Sequence, residues 1–108
     1  MKPVRFHPKA QEFIRDLSIS LKKQIGEALR DIQKGLIPTM PLNKPMPSVA
    51  KGVYEIRVKD GARKVRVFYM VKIEDYILVF HAFEKKTQKT PVHEIELGKK
   101  RLKEFLNG

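Results

Sequence analysis

Cysteine is absent from this chain, which excludes disulfide cross-links, thiol nucleophiles and thiolate-bound metal. Histidine is scarce: His7, His81 and His93 stand at no ligand spacing such as HExxH, so no metal site and no cofactor are expected. Acidic residues are few, 12 against 23 Lys and Arg, and the net charge is +11. An excess of that size in a small chain points to an anionic partner, whether nucleic acid, membrane surface or acidic protein. No window approaches the roughly 18 apolar residues of a transmembrane helix. The opening MKPVRFHPKA has no apolar core of signal-peptide length. A cytoplasmic protein without a membrane partner is the expectation. Repeats and low-complexity segments are also missing. With 42% hydrophobic residues in 108, the sequence supports one folded domain, residues 1–108, and not a disordered basic tail.

What is present divides by period. Val4 and Phe6 alternate in a short first strand, and Pro8 opens a helix with Ala10, Phe13, Ile14 and Leu17 on one stripe. Ser18 or Ser20 caps a second helix, whose stripe is Leu21, Ile25, Ala28, Leu29 and Ile32, and Gly35 ends it. The two form a hairpin over one core. Residues 36–51 carry Pro38, Pro41, Pro45 and Pro47 and read as a loop pinned by Met40, Leu42 and Met46. Residues 53–59 and 64–72 alternate about an Asp60-Gly61 turn, and Glu74-Asp75 marks the next turn. Tyr76 to Phe83 is an apolar run around a single His81, a strand buried on both faces. Thr90-Pro91 starts a last helix reaching about Leu106, with Ile95, Leu102, Phe105 and Leu106 as its packing face. The expected fold is α+β: strand, helix, helix, three antiparallel strands, helix, with a twisted sheet and helices packed on one face.

Alternation also places the chemistry. If Tyr54, Ile56 and Val58 with Val65, Val67, Tyr69 and Val71 cover the helix hairpin, then Arg57 and Arg66 project from the opposite face. Lys64 lies on that same face, and Lys85, Lys86 and Lys89 leave the adjacent strand. Solvated lysines that discourage edge pairing are the plainer reading of any one of these cations. Their convergence from three successive strands favours a phosphodiester-binding surface. Phe68, beside Arg66, is either a stacking floor for a base or part of a second small core. Glu55 is an ion-pair partner of Arg57 or a base held beside cations. Glu84, at the strand exit, carries the same ambiguity. His7 reads as a cap or surface residue and His81 as a hydrogen-bonded core residue. His93 is the histidine proposed for proton transfer.

Three segments resemble the RelE/HigB family of toxins from toxin–antitoxin pairs: VYEIRV at 53–58, VRVFYMV at 65–71 and ILVFHAFEKKTQKTP at 77–91. The last is similar to the phage-related HigB-type branch. The resemblance implies a RelE-like fold and a ribosome-dependent endoribonuclease that cuts mRNA. It also implies a helix-turn-helix antitoxin partner, through which alone the toxin meets operator DNA. Carried over by position, Arg66 and Tyr69 match the family's R-x-x-Y strand motif, Arg57 matches a basic residue of the preceding strand, and Lys86 falls near the basic residue beyond the last strand. The RelE branch places a catalytic tyrosine where Val92 and His93 stand here, and the Asp-Tyr-His triplet of better-known HigB chains is absent. The candidate catalytic set is therefore Arg66, Arg57 and Lys86, which the resemblance supports, together with His93 from the residue reading, and Lys64, Lys85, Lys89 and Phe68 are the candidates to hold RNA. His93, Glu84 and a lysine remain alternatives for the base. ParE-like relatives share the fold but inhibit DNA gyrase without cutting RNA, and a catalytically inactive RNA-binding relative is the third alternative.

Overall fold

The computed structural model describes residues 2–36, 42–72 and 75–107. It is an α+β arrangement of five strands and three helices: β1 (Val4–Phe6), α1 (Pro8–Arg15), α2 (Ile19–Gln33), β2 (Asn43–Pro45), β3 (Val53–Asp60), β4 (Arg63–Lys72), β5 (Tyr76–Glu84) and α3 (Val92–Asn107). The strands form one sheet in the order β1-β5-β4-β3-β2. The sheet is mixed, because β1 runs parallel to β5 with Val4 opposite Ile77.

Local chemistry sets the helix ends. The imidazole Nδ1 of His7 accepts from the Lys9 amide at 3.1 Å and caps α1, with Pro8 at its first position. Ser18, the nearer of the two candidate serines, caps α2 by accepting from the Leu21 amide at 3.2 Å. After α2, Gly35 takes φ +86°, and the Gly35 and Leu36 amides donate to Ile32 and Asp31 carbonyls. This left-handed C-terminal cap needs glycine. The β3–β4 hairpin turns on Gly61 at φ +62°.

The core has two halves, one on each face of the sheet. On one, α1 and α2 lay Ala10, Leu21, Ile25, Leu29 and Ile32 against Ile56, Val65, Val67, Tyr69, Ile77 and Val79. On the other, α3 contributes Leu102 to a cluster of Met46, Val49, Val53, Phe68, Leu78, Phe80 and Phe83. The expectation of helices on one face is thus corrected. A strand as apolar as β5 must have both faces covered, and α3 supplies the second cover. A bulge lets it serve both halves: Phe68 pairs with His81 but Tyr69 pairs with Val79, so Phe80 is the extra residue. Val79 and Ala82 face the hairpin, whereas Phe80, His81 and Phe83 stay on the α3 side.

The proline-rich segment departs from a plain loop. Asn43–Pro45 pairs antiparallel with β3 as an edge strand, a position that tolerates Pro45. Asn43 is buried and accepts from the Tyr69 hydroxyl at 2.6 Å. Met46 is buried, as the pinning role requires, but Leu42 is exposed; Met40 lies outside the described residues, as does Glu74 of the expected turn. Leu106 is exposed as well, so the α3 packing face consists of Leu102 with Ile95 and Phe105.

Candidate functional site

Arg57 and Arg66 are directly opposite one another in the β3–β4 register. Like charges in that relation repel. The neighbour that makes the pair tolerable is Glu55, two residues before Arg57 on the same face. Its Oε1 lies 3.8 Å from Arg57 Nε and 3.7 Å from Arg66 Nε. Glu55 is 2% exposed and Arg66 6%, so water screens this trio poorly. Arg66 Nη1 donates to the Val65 carbonyl at 3.3 Å. Glu55 Oε2 and Arg66 Nε are buried without a hydrogen-bond partner among the described residues.

Two clefts flank this pair and share Arg57, Lys64 and Arg66 as walls. The more polar one, about 420 Å³, adds Glu84, Lys85 and Lys86. The other, about 380 Å³, adds Gln24, Leu42, Val58 and Lys59. Gln24 closes the free edge of β3, donating to the Lys59 carbonyl at 2.9 Å. The Lys85 amide donates to the Lys64 carbonyl at 2.8 Å, which holds the strand exit against β4. Arg63 Nε donates to Glu84 Oε1 at 3.1 Å.

The electrostatics follow from burial and crowding. Burial pushes the Glu55 carboxyl above its ordinary range, against the opposing pull of Arg66, Arg57, Lys85 and Lys44. Lys85 is pushed down by burial and then by Arg66, Arg57 and Lys44, only partly offset by Glu55. Its ammonium therefore loses a proton more readily than an ordinary lysine.

Of the residues expected at the site, Arg57, Arg66, Lys64, Lys85 and Lys86 converge on one cleft. Three do not. Phe68 is fully buried, with its ring against Phe80, His81 and Phe83 beneath α3; it is core and offers no floor for a base. His93 is exposed on the first turn of α3 and lines neither cleft. Lys89 is also exposed and off the cleft wall, where its carbonyl accepts from Thr87 Oγ1. Tyr69, paired with Arg66 in the strand motif, points to the opposite face into the helix hairpin, where burial pushes its hydroxyl pKa up.

Two features were not read from the sequence. Lys44 stands opposite Glu55 in the β2–β3 register and adds a cation beside the cleft. His81 forms a relay with α3: its Nδ1 accepts from Arg101 Nη1 and its Nε2 donates to Glu94 Oε1, each at 2.8 Å. A guanidinium can only donate, so this arrangement fixes a neutral imidazole. The spacing of seven between Glu94 and Arg101 puts both on one helix face. Nothing in the sequence says that His81 lies beneath that face.

Residues 12–103 match the family described as Phage derived protein Gp49-like (DUF891). The chain belongs to the Gp49-like family. The match runs from α1 through most of α3 and contains every residue of the cationic cleft. Members of the Gp49-like family are toxin-like proteins of toxin–antitoxin systems. A search of curated proteins found no match. Among the described residues, no helix is long and apolar enough to cross a membrane, and no group of His, Asp and Glu is disposed to hold a metal ion.

Proposed function

We propose that this protein is the toxin of a toxin–antitoxin pair and acts as a ribosome-dependent mRNA endoribonuclease. The observation that carries the reading is the Arg57–Arg66 pair, set side by side over a cleft walled by Lys64, Lys85 and Lys86. Two guanidinium forks match phosphodiester oxygens in both charge and geometry. In the reaction, a ribose 2′-oxygen attacks the adjacent phosphorus. The bond from phosphorus to the 5′-oxygen breaks, leaving a 2′,3′-cyclic phosphate and a 5′-hydroxyl. Arg57 and Arg66 stabilise the charge that develops on the phosphorane. Lys85, whose proton is loosened by burial and by its cationic neighbours, protonates the leaving 5′-oxygen. Glu84 is the carboxylate on the cleft wall and takes the 2′ proton. Ribosome-bound mRNA is the substrate, and a helix-turn-helix antitoxin is the partner that masks the cleft.

Arg66→Ala is expected to fold at some cost in stability, because the buried Glu55 carboxylate keeps Arg57 as a partner, and to abolish mRNA cleavage and growth arrest. Primer extension on mRNA from induced cells checks this. Growth arrest and discrete cleavage ends at the wild-type level in that variant would sink the assignment. A second reading draws on the absence of His and Tyr from the described lining of both clefts. With so few proton carriers, the cations suit a gyrase-inhibiting toxin that cuts no RNA. DNA-damage signalling without discrete mRNA ends would favour it.

A further inference from the structure

We propose that Glu55 is a positioning residue for the cleft: its carboxylate holds the Nε edges of Arg57 and Arg66, so that their remaining N–H groups converge on one phosphodiester. The catalytic consequence rests on the nuclease reading; the binding consequence does not.

Glu55 sits where an apolar residue would serve the fold better. Its cross-strand neighbour is Phe68, and Val53 lies two residues away in the same half of the core. A carboxylate there is desolvated at a cost to stability. What the fold receives is a single Oε1 within 3.8 Å of one Nε and 3.7 Å of the other, across two strands. Neither distance is a hydrogen bond, and Arg66 Nε has no other partner among the described residues. The guanidiniums are therefore gathered by charge and their donor capacity is not used up. Arg66 spends one N–H on the Val65 carbonyl. Arg57, whose side chain is 27% exposed, stands on the walls of both clefts. The trio carries one net positive charge before a ligand enters, which matches the single negative charge of a phosphodiester.

Two opposite effects follow from removing the Glu55 charge. The cleft becomes more positive and binds RNA more tightly, while the two arginines repel and lose their common orientation. The test uses the full chain as wild type, Glu55→Gln and Glu55→Asp. Affinity is read with a non-cleavable, 2′-deoxy-substituted oligoribonucleotide. Cleavage of ribosome-bound mRNA is read as kcat and KM, with circular dichroism as the check on folding. Glu55→Gln is expected to bind the oligonucleotide roughly fivefold tighter, from one unit of charge near the phosphate. Its kcat is expected to fall about a hundredfold, the scale of a misaligned charge-stabilising group. Glu55→Asp, which keeps the charge, is expected to regain part of kcat.

Unchanged oligonucleotide affinity in a folded Glu55→Gln overturns the proposal, whatever happens to kcat. So does failure of both variants to fold, or equal loss in both. Loss of kcat with unchanged affinity and a vanished limb of the pH profile overturns it in favour of a proton-transfer role. A wild type that binds the oligonucleotide but cleaves nothing overturns the nuclease reading alone, and the affinity comparison still decides the role of Glu55.

Discussion

His81 and Glu55 are ionisable groups buried on the same side of the sheet, and burial acts on them in opposite senses. His81 is held neutral: burial, opposed by its hydrogen bond to Glu94 and reinforced by Arg101, lowers its pKa from 6.5 to about 4. An unfolded chain therefore binds a proton on this residue at a pH where the folded one does not. The stabilisation is fully present above about pH 6.5 and is lost as the pH falls toward 4, by roughly 3 kcal/mol in all. Glu55, raised in the fold, acts the other way. Its burial weighs against folding at neutral pH, and that penalty is relieved as the pH falls through its raised folded-state pKa toward the ordinary carboxylate value. Urea titrations between pH 7.5 and 5 in a Glu55→Gln background, which removes the opposing carboxylate, are expected to show the protein weakening with acid. In the same background His81→Phe, which keeps a ring beside Phe68 and Phe83, is expected to flatten that slope. Equal slopes in both proteins would remove His81 as the cause. The roles of His7 as a cap and His81 as a hydrogen-bonded core residue were legible from their sequence settings. That His93 stays out of the cleft was not, because closeness in sequence to the lysines says nothing about which side of α3 it occupies.

At the scale of elements, the contact between α3 and the sheet is the tightest constraint. Gly98 is buried on α3, and a Cβ built on it would meet Phe68 Cδ2 at 2.9 Å and Cε2 at 3.1 Å. The Phe68 ring cannot withdraw, since Phe80, His81 and Phe83 surround it. Valine is a better helix former than glycine, yet Gly98→Val is expected to destabilise the protein by about 2 kcal/mol through overpacking. A thermal or urea melt measures it; a gain in stability would mean that α3 is free to lift. This contact also explains why Phe68 misleads a reader of the sequence. Alternation puts it beside Arg66 on the face that carries the cations, but that face has two territories. α3 covers the one around Phe68 and leaves the one around Arg57 and Arg66 open. The length of the apolar run in β5 already implied two covered faces, and that signal outranks the simpler picture of helices on one side.

For the molecule as a whole, the +11 charge makes association with RNA a matter of displaced counterions. The walls of one cleft hold Lys64, Lys85 and Lys86. Replacing all three with Gln is expected to reduce the slope of log K against log salt by about 2, at about 0.7 for each lost contact to single-stranded RNA. Replacing Lys99, Lys100 and Lys103 of α3, which line neither cleft, is expected to change it little. Anisotropy titrations across a salt series give both slopes, and equal effects of the two triple variants would place RNA elsewhere on the surface.

The sequence by itself determined the periodic parts of this protein. Alternation assigned Arg57, Lys64 and Arg66 to one face, opposite Tyr54, Ile56 and Val58. The helical stripes assigned the hairpin of α1 and α2, and a serine, Ser18 or Ser20, with Gly35 bounded α2. These are one-dimensional signals, because burial of one face repeats along the chain with the period of the element. Tertiary structure alone decided what covers the second face, which cations share a cleft and what lies between two opposed arginines. A bulge at Phe80 shifts the later half of β5 by one residue, β2 brings Lys44 alongside Glu55, and α3 carries Glu94 and Arg101 over His81. Each of these joins residues through strand register or helix docking, and neither leaves a periodic mark on the chain.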